Sequence, residues 1–118
     1  MAIFAYSLDA LSVFNNILHD LYFDKPERGL DLRDGRLHFR LTDQDLLIRK
    51  DSVSEYFLCI CEIESAEVEG DLDALPDEIE LNKILFEPKK SLLTLEAVHP
   101  LRIVCLVRKL HLELDQLA

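Results

Sequence analysis

The chain has no tryptophan, three tyrosines and only three glycines in 118 residues. Gly29, Gly35 and Gly70 each stand beside a turn signal, so no phosphate-cradling loop or dinucleotide fingerprint can be assembled from them. No serine carries the flanking glycines of a nucleophile elbow. An acidic chain always contains carboxylate pairs, but without tryptophan they lack the aromatic sugar platforms of a glycosidase cleft. With no catalytic motif left, an enzymatic reading has nothing positive to stand on.

Cysteine is scarce too, and three is an odd number, so no disulfide framework is expected. Cys59 and Cys61 are separated only by Ile60. On a strand rising about 3.3 Å per residue their Cβ atoms stand roughly 6–7 Å apart. A disulfide needs about 3.8 Å between those atoms. Cys59, Cys61 and Cys105 are therefore expected as small core side chains in a reducing compartment. The Cys-x-x-Cys spacing of a zinc site is missing, and none of His19, His38, His99 and His111 has an i, i+4 partner. Neither a metal nor another cofactor is expected. A composite of Cys59, Cys61, Cys105 and one histidine would require the two strands to be neighbours.

Long apolar runs are also absent. Stretches such as Ile103–Val107 fall far short of the ~20 residues a membrane-spanning helix needs. The first cationic residue is Lys25, so the start of the chain lacks the basic region of a secretory signal. The expectation is a cytoplasmic protein without membrane contact.

What the chain has in excess is negative charge, −10 at neutral pH, and it is concentrated. Glu62, Glu64, Glu67, Glu69, Asp71, Asp73, Asp77, Glu78 and Glu80 occur with no Lys, Arg or His among them. The other fourteen acids are nearly balanced by thirteen bases. Such a segment either solvates a strand face and discourages edge pairing, or forms an electrostatic docking patch for a basic protein surface. A calcium loop is excluded: in Asp71-Leu72-Asp73-Ala74-Leu75-Pro76-Asp77, Leu75 replaces an oxygen ligand and Pro76 stands where Gly is needed. Lys and Arg are scattered singly or in pairs, so direct nucleic-acid binding is not expected.

Periodicity supplies the fold. Ser7 is an N-cap signal, and Leu8, Leu11, Phe14, Leu18 and Leu21 recur at helical spacing, which predicts a helix over about 8–21, ending before Asp24-Lys25-Pro26. From there the period is two. Leu30 and Leu32 face Phe39 and Leu37 across an Asp34-Gly35 hairpin turn of type I′, with Arg33 opposite Arg36. Further strands are predicted at Leu46-Leu47-Ile48, at Tyr56–Val68 with a bulge near Ser65-Ala66, and at Ile79–Phe86 with a break near Asn82-Lys83. The last are Leu93–Ala97 and Leu101–Leu114; the last fits helical spacing as well, but its β-branched Ile103, Val104 and Val107 favour strand. The whole predicts one domain over 1–118 of class α+β, mostly β: an N-terminal helix packed on an antiparallel meander of about seven strands, as a sandwich or partial barrel.

Leu11, Phe14, Leu18, Leu32, Phe39, Cys59, Ile60, Leu95 and Val107 are the expected core. The leading functional expectation is a non-catalytic inhibitor, adaptor or regulatory subunit docking on a basic partner, with Glu62, Glu64, Glu67, Glu69, Asp71 and Asp73 as partner-binding residues. The alternatives are a small-ligand or enzymatic site between helix and sheet near His19 and Asp20, or a structural homo-oligomer subunit. A homodimer is suggested by Tyr56–Ile60 and Leu101–Val107, which carry more apolar surface than one helix covers.

Overall fold

The computed structural model describes residues 2–27, 30–43 and 54–117. Gly29, the turn at Gln44-Asp45 and the expected strand Leu46-Leu47-Ile48 lie outside the described residues. Among those described, one helix, α1 (Leu8–Leu18), accompanies nine strands. These are β1 (Ala2–Ala5), β2 (Tyr22–Asp24), β3 (Leu37–Thr42), β4 (Glu55–Ile60), β5 (Ile63–Glu69), β6 (Glu78–Glu87), β7 (Leu92–Ala97), β8 (Arg102–Val107) and β9 (Leu112–Gln116). All pairings are antiparallel, in the order β1-β9-β4-β3-β2-β6-β7-β8-β5. The fold is α+β and mostly β, with two more strands than expected and no closure into a barrel. No described helix is long and apolar enough to cross a membrane.

Two departures from a plain meander shape the sheet. The stretch expected as one strand over 56–68 bends at Glu62, whose φ of +58° is the left-handed region. The facing stretch bends between β8 and β9, and the ladder continues through both corners: Cys61 N–H donates to the His111 carbonyl and Arg108 N–H to the Glu62 carbonyl. The sheet therefore folds over on itself. Its Leu- and Ile-rich inner face forms one contiguous buried cluster running from Phe14 through Leu58, Ile84 and Ile103 to Leu114. The Asp34-Gly35 turn has φ of 54° and 69°, the type I′ pattern, and Arg33 and Arg36 exchange both backbone bonds. Pairing stops there. Leu30 and Leu32 pack against the core but belong to no strand.

Helix α1 is capped by Ser7, whose side chain accepts from Ala10 N–H, and buries Leu11, Phe14 and Leu18. It ends at Leu18 rather than 21, because the chain turns through His19 and Asp20 (φ 68°) into β2. The helix covers an edge. Beyond Glu80, β6 has lost β2 as a neighbour, and Asn15 takes the place of a strand. Its Nδ2 donates to the Ile84 carbonyl at 2.9 Å, and its Oδ1 accepts from Ile84 N–H at 2.7 Å.

Candidate functional site

The acidic segment ends up at one margin of the sheet. β5 is the terminal strand, paired on one side only, with β8. Ile63 is buried, and Ala66 and Val68 pack against the core, whereas Glu64, Glu67 and Glu69 are exposed. The extra residue between Ile63 and Ser65, where the register shifts, keeps this alternation in phase. Across the ladder Arg108 reaches Glu64 at 3.5 Å, and Arg102 pairs with Glu69. Glu67 and Asp73 have no cationic partner among the described residues. Gly70 then turns the chain at φ 141°, where a Cβ would stand 2.6 Å from the Pro100 carbonyl oxygen; only glycine fits this close approach. Asp71 caps a single 3-10 turn by accepting from Asp73 N–H, and both carboxylates remain exposed. Glu62 is half-buried at the corner.

Asp77, Glu78 and Glu80 belong to a different neighbourhood, beside β2. Asp77 stands 4.0 Å from Lys25 Nζ. Desolvation raises the Glu80 carboxyl above its ordinary range, and the adjacent Asp20 carboxyl adds to the shift. The nine acids are thus split, six around β5 and its loop and three on the flank of β6.

His19 and Asp20 do come together: His19 Nε2 lies 3.4 Å from Asp20 Oδ1 and Nδ1 3.4 Å from the Asn82 carbonyl oxygen. Both side chains are more than half exposed, at 56% and 63%. They close off the helix end and line none of the described clefts. The largest of those, about 500 Å³ and open, runs between Asp24, Glu27, Leu30, Arg33, His38 and Phe57.

The cysteines divide. Cys105 belongs to the contiguous core, and its burial pushes the thiol up to about 12. Cys59 and Cys61 are also buried but lie outside that cluster. Leu58 and Ile60 take the inner face of β4, so the thiols occupy the outer one. The expected Cβ separation made them poor partners, yet the bend after Cys61 brings the two sulfurs to 3.6 Å. Opposite them are Glu113 on β9, paired with Cys59, and His111 just before β9, whose carbonyl accepts from Cys61 N–H. One carboxylate oxygen of Glu113 and both sulfurs lie within 4.8 Å of one another. His111 Nε2 is 3.3 Å from Glu113 Oε1, its Nδ1 is buried with no hydrogen-bond partner among the described residues, and the Tyr6 ring lies 4.7 Å away. Desolvation pushes the Cys61 thiol up to about 12 and raises Cys59, so neither is a ready nucleophile.

The composite with Cys105 does not form, because β4 and β8 are not neighbours and Cys105 faces the core. Sequence reasoning counted His111 among the candidate histidines without placing it beside the cysteines, and it missed Glu113. The signal was there: His111-x-Glu113 and Cys59-x-Cys61 are both spaced by two, as residues on one face of a strand are.

No protein-family model matches this chain, and comparison with curated proteins and with solved structures finds no match either.

Proposed function

We propose that the protein is a non-catalytic interaction module that docks on a basic protein surface through β5 and the loop that follows it. The observation that carries this reading is the coincidence of a sheet edge with exposed carboxylates, of which Glu67 and Asp73 have no cationic partner among the described residues. Glu62, Glu64, Glu69 and Asp71 extend the patch, two of them tempered by Arg102 and Arg108. A field of this kind speeds encounter more than it deepens affinity, and salt weakens it over a Debye length of about 8 Å. At the start of β5 the Ile63 N–H is taken by the Gly35 carbonyl, and the backbone beyond it gives a partner strand a place to add. The reading assigns no contact to nucleic acid or to a membrane. It places the protein in the cytoplasm, where its three free thiols stay reduced.

The test is capture from native lysate by wild type and by the double reversal Glu67→Lys, Asp73→Lys, in low and moderate salt. A protein held by wild type in low salt and released by either change supports the reading. Capture that ignores both salt and reversal removes the acidic edge from the mechanism.

A second reading, self-association, has its own support at the opposite edge. β1 carries no charge, and Ile3 and Phe4 are 37% and 47% exposed on it. The two segments first expected to drive dimerisation are central instead: β4 lies between β9 and β3, and β8 between β7 and β5. Sedimentation of wild type beside Phe4→Lys tests this reading. A dimer that the substitution dissolves supports it, and a wild-type monomer ends it.

A further inference from the structure

We propose that Cys59, Cys61 and Glu113 bind one thiophilic divalent cation of the Zn²⁺ class, with His111 holding the carboxylate in place. Two thiolates on one tetrahedral ion, each about 2.3 Å from it, stand about 3.8 Å apart. The sulfurs of Cys59 and Cys61 are already 3.6 Å apart. A carboxylate oxygen sharing that ion comes within about 3.5 Å of each sulfur. The Glu113 oxygen begins within 4.8 Å of both, so a side-chain rotation completes the set. Two sulfurs in three donors select a zinc-like ion over magnesium or calcium, which take oxygen.

The surroundings fit a bound ion independently of the ligand distances. His111 Nε2 hydrogen-bonds one carboxylate oxygen of Glu113, the outer-shell contact that fixes a ligating carboxylate. Its buried Nδ1 has no hydrogen-bond partner among the described residues, an unsatisfied polar atom on a residue that touches the cluster. Binding sends the two thiol protons to solvent, and the ion's own charge keeps the buried sulfurs anionic. The ligands come from adjacent strands joined by backbone bonds, so an ion here clamps β4 to β9 beside the corner of the sheet.

The experiment titrates the anaerobically reduced full chain with Co²⁺ and then Zn²⁺. One equivalent of Co²⁺ should produce sulfur-to-cobalt charge-transfer absorption with the visible bands of a tetrahedral centre, and one equivalent of Zn²⁺ should erase both. Cys59→Ser and Cys61→Ser should each weaken binding by more than about 100-fold, and His111→Gln by roughly 10–100-fold with shifted visible bands. Cys105→Ala, in the core rather than the cluster, should bind cobalt as wild type does. If the serine variants fail to fold, Glu113→Gln at its half-buried site carries the test and should weaken binding by a comparable factor. Wild type giving no charge-transfer absorption, or a signal that survives Glu113→Gln, overturns the proposal.

Discussion

Replacing Asn15 with alanine isolates the device that finishes the sheet beside the helix. The side chain makes two hydrogen bonds, both to the backbone of Ile84, at 2.9 and 2.7 Å. Without it, the N–H and the C=O of a fully buried residue lose their partners together. An orphaned backbone group costs about 1–3 kcal/mol, and the low end applies because this contact is only partly buried. Against roughly 2–4 kcal/mol for the pair stands a gain of about 0.6 kcal/mol in helix propensity for Asn→Ala. The net loss is about 1.5–3.5 kcal/mol. For a domain of this size that corresponds to a fall in Tm of about 6–14 °C. Denaturant melts at pH 7 should show a lower midpoint with an unchanged slope. Asn16→Ala, one position along and exposed, is the control and should be neutral or slightly stabilising. Asn15→Asp should lose as much as alanine, because it keeps the acceptor but turns an anionic oxygen on the Ile84 carbonyl. If Asn15→Ala falls within 0.5 kcal/mol of the Asn16 control, a margin typical of ~0.5 kcal/mol surface changes, the helix does not complete this edge.

Phe14→Ala should cost about 3–5 kcal/mol by urea denaturation, because the ring is 1% exposed between α1 and the sheet; a loss below about 1 kcal/mol would mean the helix is not docked there. Glu80→Gln should stabilise the fold near neutral pH. The folded carboxyl is raised, so the native state holds a proton that the unfolded chain has released, and wild-type stability falls as pH rises through that interval. The advantage of Gln should shrink as pH drops toward about 4.3, where the unfolded Glu protonates too; thermal melts of both proteins from pH 4 to 8, a span set around the ~4.3 reference value, check the sign.

Much of the fold was legible because it rests on local chemistry. Asp34-Gly35 announces a type I′ turn wherever it occurs, and Asn82-Lys83 interrupts an alternation that the register shift between Leu81 and Lys83 then reproduces. The β-branched residues of 101–107 chose strand over an equally good helical spacing, correctly. What stayed hidden depended on tertiary context. Nothing in Cys61-Glu62-Ile63 marks the left-handed Glu62, since no glycine or asparagine stands there. β1 is four uncharged residues with no alternation of polarity, made a strand by the partner β9 at the far end of the chain. Cys59 and Cys61 are buried as expected, but the apolar run Tyr56–Cys61 concealed that they lie outside the contiguous cluster. The outer-face cluster became visible only when topology placed β9 beside β4. The acidic segment was legible as a composition. That it straddles a free edge, with two of its carboxylates tied to arginines, was not.

The most direct measurement of the docking account is backbone hydrogen exchange of the full chain, free and saturated with the basic partner retained in low salt. The account predicts new protection at those amides of residues 64–69 that do not face β8, and in the 70–74 loop, with β1 unchanged. Protection confined to Ala2–Ala5, with β5 exchanging as it does in the free chain, would contradict it and move the interface to the opposite edge.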